Sequence, residues 1–137
     1  MPSRGGASPR GGGSRLPRQG SGRENVVGAG RGVASDVAAV ADEVTRRLLR
    51  AFPEIEKVLL FGSRARGDAR PDSDWDFLVI MPSSLPPGRR TLAVRRAARL
   101  RGVPMDFLVR TPEEVRRGFP LAKEIFREGR VLYDRGR

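Results

Sequence analysis

The chain has 137 residues and carries 27 Lys and Arg against 16 Asp and Glu, a net charge of +11. That length suits one domain, and the basic balance favours anionic partners such as nucleotides, RNA or an acidic protein face. The sequence contains no Cys and no His, which excludes disulfides, Cys–His zinc sites and any histidine general base within the chain.

The first 32 residues hold ten Gly, three Pro and six Arg, with Glu24 as their one acid. Such a composition cannot bury enough apolar surface to offset chain entropy. Residues 1–32 are therefore expected to be a disordered Gly/Arg-rich tail, and 33–137 to form the folded domain. The tail contributes +5 and the remainder +6, so both parts are basic. Arg10-Gly11-Gly12-Gly13 and Arg31-Gly32 share the character of Arg-Gly RNA-binding segments, and weak non-specific nucleic-acid binding by the tail follows as an expectation. The tail has no aromatic residue for base stacking. It also lacks the apolar segment of a secretory signal, and no apolar run approaches the ~20 residues of a membrane span. No membrane association is expected, and the absence of Cys fits a reducing, cytoplasmic setting.

Ser35 reads as an N-cap, with Asp36 in the first turn. Val37, Val40, Ala41, Val44, Leu48 and Phe52 then recur at helical spacing, and Pro53 stops the helix. Lys57–Phe61 reads as the first strand. A short helical turn follows Gly62-Ser63, and a connecting segment runs through Ala69-Arg70-Pro71-Asp72. A second strand is expected over Trp75–Met81 and a three-proline loop over 82–88. Thr91–Leu100 reads as a helix whose arginines, Arg95, Arg96 and Arg99, form a solvated face, with Gly102 as its C′ residue. Met105–Val109 is the third strand. Thr111 caps another helix, with Pro112 at N1 and Glu113-Glu114 in the first turn. A short helix over Leu121–Glu128 and an edge strand at Val131-Leu132-Tyr133 complete the chain. The order implies an α/β domain with a small sheet flanked by helices.

Three carboxylates stand out. Asp74 and Asp76 are two residues apart, and positions i and i+2 of a strand share a face. Two carboxylates held that close repel unless a cation lies between them, and hard oxygen ligands suit Mg²⁺, which also binds substrate phosphates. Asp106 opens a later apolar run, where an unpaired carboxylate is costly. Gly62 lets the backbone approach a ligand closely; the N–H groups that follow, the Ser63 hydroxyl, Arg64 and Arg66 are candidate phosphate contacts. Arg66 has a second reading as a surface partner of Asp68. Asp68 and Asp72 read as turn residues and Tyr133 as a packing residue.

Gly62-Ser63-Arg64-Ala65-Arg66-Gly67-Asp68, followed by Ser73-Asp74-Trp75-Asp76-Phe77, resembles the signature of minimal nucleotidyltransferases of the MNT type, within the DNA polymerase β superfamily. Val103-Pro104-Met105-Asp106-Phe107 matches the position of that family's third carboxylate. The resemblance covers residues 35–134. Trp75 and Phe77 stand where aliphatic residues are common, adding bulk beside the carboxylates. The resemblance implies a polymerase-β-like core with a mixed sheet. It implies a magnesium-dependent transfer of a nucleoside monophosphate, AMP from ATP, with release of pyrophosphate. Asp74, Asp76 and Asp106 would be catalytic and hold two metal ions; Gly62, Ser63, Arg64 and Arg66 would contact the nucleotide. Proteins of this type are commonly antitoxins beside a HEPN toxin, so the resemblance implies a toxin–antitoxin pair and a protein hydroxyl as acceptor. Two other readings stay open: a non-catalytic module that neutralises a partner by occlusion, and a nucleotidyltransferase acting on a small molecule such as an antibiotic.

Overall fold

The computed structural model describes residues 28–136, with side chains described from residue 37 onward. The pattern of contacts divides the chain at Ala38/Ala39, and the second unit, Ala39–Arg137, carries the sheet. Residues 1–27 of the expected tail lie outside the described residues.

The elements run α1 (Gly28–Ala51), β1 (Lys57–Phe61), α2 (Ser63–Arg66), β2 (Trp75–Ile80), α3 (Pro87–Ala98), β3 (Met105–Arg110), α4 (Pro112–Arg117), α5 (Ala122–Glu128) and β4 (Arg130–Asp134). The strands form one sheet in the order β3-β2-β1-β4. β1 pairs antiparallel with β2 and β4, whereas β2 and β3 are parallel. The sheet is therefore mixed, as the resemblance implies. A parallel pair needs a crossover connection, and α3 supplies it.

Alternation divides the central strands. In β2, Asp76, Leu78 and Ile80 share one face, while Trp75, Phe77 and Val79 share the other. The first face packs Leu59, Leu78, Ile80 and Ile125 together, with Phe61, Leu108, Val115 and Phe119 around them; α4 and α5 cover it. On the second face Phe77 stacks between Trp75 and Phe107, with ring centroids 6.5 and 5.4 Å away. Val44 and Leu48 of α1, and Val94 and Ala98 of α3, are fully buried, as the helical spacing of these residues requires.

Several boundaries differ from the sequence reading. α1 begins at Gly28, so Ser35 lies inside the helix and does not cap it. A helix nucleated by the good formers downstream extends at little cost per residue. α3 begins at Pro87, inside the expected loop, because proline is well suited to a first helical turn. It ends at Ala98, and Arg99 is extended. Gly102 (φ 77°) serves the following turn and is not the C′ residue. Leu92 faces outward, 47% exposed. α4 opens as read: Thr111 accepts from the Glu114 N–H, and the Glu114 carboxylate accepts from the Thr111 N–H.

One buried feature was not read from sequence. Arg90 is 6% exposed, and its guanidinium makes a two-pronged pair with Glu114 at 2.8 and 3.1 Å. Its Nε also donates to the Leu85 carbonyl at 2.9 Å. This clasp ties the start of α3 to the capping box of α4, across the C-terminal ends of β2 and β3.

Candidate active site

The carboxylates gather at the opposite end of those strands. Asp76 lies opposite Asp106 in the parallel β2–β3 pair and opposite Phe61 in the β1–β2 pair. Phe61 precedes Gly62, so Gly62, Asp76 and Asp106 meet at one end of three adjacent strands. Asp74 stands just ahead of β2. Asp76 is half-buried, whereas Asp74 and Asp106 are exposed. The exposure of Asp106 corrects the burial argument made from its apolar neighbours. Alternation sends Met105 and Phe107 into the core and Asp106 outward from an edge strand.

Burial, then the charges of Asp106 and Asp74, push the Asp76 carboxyl up to about 6 against a lesser opposing pull from Arg66. Desolvation and two like charges both disfavour the ionised form. The site thus concentrates negative charge that nearby side chains do not balance.

Gly62 is fixed by two demands. Its φ of 76° and ψ of −159° suit glycine, and a Cβ there would overlap Asp76 Oδ2. The backbone turn and the carboxylate are packed directly against each other. The Gly62 carbonyl accepts from the Ala65 and Arg66 N–H groups, both at 3.1 Å, which opens α2 with Ser63 half-buried as its first residue.

Arg64 is turned toward the connecting segment. Its Nη2 donates to the Ser73 carbonyl at 3.0 Å and the Pro71 carbonyl at 3.2 Å. The guanidinium lies 4.6 Å from the centroid of the Trp75 ring, and Nε is buried without a hydrogen-bond partner. Arg64 therefore holds the segment that delivers Asp74. Arg66 is exposed, with Nε 3.3 Å from Asp68 Oδ2 and Nη1 3.5 Å from Glu128 Oε1, the surface pairing weighed from sequence. Trp75 and Phe77 do not crowd the carboxylates; they occupy the other face of β2. Arg95 and Arg99, read as a solvated helix face, line a groove together with Asp74. The signal that marks them is a long stretch of sequence with arginines and no acids.

The donor chemistry fits magnesium. Carboxylate oxygens are hard ligands, and the raised Asp76 marks a place where positive charge is favoured. Among the described residues no three candidate ligands are gathered closely enough to enclose an ion by themselves. Mg²⁺ is usually held by one or two carboxylates with substrate phosphates and water completing the shell.

With this geometry in view, the family model for the nucleotidyltransferase domain matches residues 41–133. The chain belongs to this family. The sequence is also 47% identical over 38 residues to the protein adenylyltransferase MntA of Aphanizomenon flos-aquae (strain 2012/KM1/D3). That match spans 28% of this chain and 25% of the relative, so the chain covers only about a quarter of the curated relative it matches. Among solved structures, one described as a candidate nucleotidyltransferase from Sulfolobus solfataricus superposes with a TM-score of 0.57 at 26% identity, over 80% of this chain and 94% of that one. A chain of a toxin–antitoxin complex with AMP-PNP superposes with a TM-score of 0.51 at 18% identity, over 69% of this chain and 73% of that one; this second likeness concerns the fold. The resemblance to minimal nucleotidyltransferases drawn from the Gly62-Ser63 and Asp74/Asp76 motifs is borne out, and the domain is that of an enzyme. Among the described residues no helix is long and apolar enough to cross a membrane.

Proposed function

We propose that this nucleotidyltransferase moves AMP from ATP onto a hydroxyl of a partner protein and serves in the cytoplasm as the antitoxin of a HEPN-type toxin. The observation that carries the reading is the meeting of Gly62, Asp76 and Asp106 at one end of the sheet, with Asp74 beside them and negative charge in excess. The named relatives add the direction: one is a protein adenylyltransferase, and one shares its fold with a component of a toxin–antitoxin complex.

Asp74, Asp76 and Asp106 would hold two magnesium ions. When bound, such a pair neutralises the triphosphate and stabilises the attacking and leaving oxygens. Gly62 and Ser63 hold the phosphates through backbone N–H groups and the serine hydroxyl, and Arg66 lies close enough to Asp76 to add positive charge. Arg64 positions Asp74 through the 71–73 segment. Asp106, exposed at the edge strand, faces the incoming acceptor and takes its hydroxyl proton. The acceptor oxygen then bonds to the α-phosphorus as the bond to the β-phosphate oxygen breaks, and pyrophosphate leaves.

The test is incubation of the protein with ATP, Mg²⁺ and the protein of the neighbouring gene, followed by intact-mass spectrometry. The expected result is one or more AMP additions to the partner, abolished by Asp106→Ala. A partner that stays unmodified, yet is inhibited equally well by Asp106→Ala, would establish occlusion in place of catalysis.

A further inference from the structure

From Phe77 to Met105 the chain contains six arginines and neither Asp nor Glu. Arg90 is neutralised by Glu114. Among the described residues, none of the other five, Arg89, Arg95, Arg96, Arg99 and Arg101, is paired with a carboxylate. Elsewhere Arg46 and Arg47 share Glu43, Arg66 pairs with Asp68 and Glu128, and Lys57 pairs with Asp134, whereas Arg50, Arg70, Arg116 and Arg117 are, like the α3 arginines, in no ion pair among the described residues. What sets α3 and the turn that follows it apart is that these five arginines fall within residues 89–101 with no acid among them.

These arginines also shape a surface. Leu92, Arg95, Arg96, Arg99 and Arg101 line an open groove of about 450 Å³. Arg95 and Arg99 continue into a second groove of about 490 Å³, whose walls include Asp74, Pro104 and Met105. Through their shared Arg95 and Arg99 the two form one basic trough, which ends at Asp74. Arg95 is braced from below by donating to the Met105 carbonyl at 3.0 Å. The backbone carbonyl of Arg99 is held by Arg47 at 3.3 Å. The exposed Leu92 supplies an apolar patch at the far end.

We propose that this trough is the docking cleft for an acidic segment of the protein that accepts the nucleotide; its occupant rests on the function proposed above. A row of unpaired guanidinium groups selects carboxylates, which they bind in a planar, two-pronged fashion. Arginine is among the residues enriched at protein interfaces. A single-stranded nucleic acid would instead call for aromatic platforms among the arginines, and no aromatic residue lines either groove. The trough's end at Asp74 gives docking a catalytic purpose. A small core offers little to orient an acceptor hydroxyl, and holding the acceptor beside the carboxylates makes its attack effectively intramolecular.

The test uses the full chain, with a labelled dodecaglutamate peptide and a labelled dodecauridine RNA as probes at equal, low ionic strength. Fluorescence anisotropy is expected to show tighter binding of the peptide. Arg96→Ser/Arg99→Ser/Arg101→Ser should weaken it at least tenfold. A control of equal charge loss, Arg116→Ser/Arg117→Ser/Arg127→Ser, should weaken it less than threefold. All six positions are exposed, so both variants should melt like the parent. Equal weakening by the two variants, or no peptide binding, would overturn the proposal. Tighter binding of the RNA, lost in the groove variant, would overturn it in favour of a nucleic-acid groove. In the AMP-transfer assay the groove variant should raise KM for the acceptor protein and leave KM for ATP unchanged; an unchanged acceptor KM counts against the cleft. If the parent protein transfers no AMP at all, the proposed function falls, and the anisotropy arm still decides the trough's preference.

Discussion

β2 and β3 carry charge at both ends, and the two ends are built on opposite terms. At the C-terminal end Arg90 and Glu114 balance each other, buried or nearly so, with the remaining donors given to backbone carbonyls. The Arg90 hydrogen bonds and the Thr111 N–H hold the Glu114 carboxyl down at about 2. At the N-terminal end burial and the charges of Asp106 and Asp74 push Asp76 up to about 6. The first arrangement fastens two helices to the sheet. The second leaves an unmet demand for positive charge, which a structural role alone does not explain. Perturbation by desolvation and like charge marks candidate functional sites, whereas perturbation by a matched partner marks an ion-pair clasp.

The sharpest way to break the comparison is to neutralise one residue at each end. Asp76→Asn should reduce AMP transfer by at least 10³-fold, a loss of roughly 4 kcal/mol in transition-state stabilisation. In Mg²⁺-free buffer it should nonetheless melt at the same temperature as the parent or higher. The raised carboxyl means that ionised Asp76 costs the folded state on the order of 1–2 kcal/mol at neutral pH, after allowance for partial exposure. That cost vanishes as pH falls below the unfolded value near 3.8. Thermal melts at pH 7.5 and pH 4 check both halves. A variant that loses stability at pH 7.5 would show that Asp76 is a structural carboxylate after all.

At the other end, Glu114→Ala should destabilise the fold by about 3 kcal/mol, because it leaves a buried guanidinium unpaired. It also removes half of a capping box. Replacing both partners, as Arg90→Met with Glu114→Leu, should recover at least half of that loss, since an apolar pair of similar volume avoids the uncompensated charge. Urea unfolding measures both variants. A double variant no more stable than Glu114→Ala alone would mean that the cap, and not the ion pair, matters.

A smaller effect should appear on acidification of the parent protein. Glu114 ionises more readily folded than unfolded, so its contribution is complete above about pH 4.5 and is lost as pH falls toward about 2. With the side chain 23% exposed, this amounts to on the order of 2 kcal/mol. Stability measured from pH 5 to pH 2.5 should fall more steeply in the parent than in Glu114→Gln. Parallel slopes would contradict the assignment.

Much of this was legible in the chain. The three core strands were apparent because Val58-Leu59-Leu60, Phe77-Leu78-Val79-Ile80 and Phe107-Leu108-Val109 are short apolar runs bounded by turn residues. The Thr111-Pro112-Glu113-Glu114 start signal works within one helical turn. The spacing of Asp74 and Asp76 and the position of Gly62 placed the candidate site at a strand end, because strand alternation and the special backbone of glycine are local properties. Helix ends were less legible. Ser35 is an acceptable cap, but extension of a helix already nucleated competes with it on nearly equal terms, and Pro87 opens α3 ahead of the expected start at Thr91.

The remaining decisions belong to pairs of residues far apart in the sequence. Nothing around Asp106 says whether it points inward or outward; that follows from β3 lying at the sheet edge with Met105 and Phe107 committed to the core. Arg64 looks the same in sequence whether it meets a phosphate or the carbonyls of Pro71 and Ser73, and only the packing of Trp75 beneath it chooses. Arg90 and Glu114 are 24 positions apart, so no local pattern reports their pairing. The sequence by itself determined the strands, the glycine turn and the presence of three carboxylates, because those depend on neighbours a few residues away. Which charges are balanced and which are left in want of a partner was decided only by the tertiary structure, because electrostatic balance is a property of distance in space.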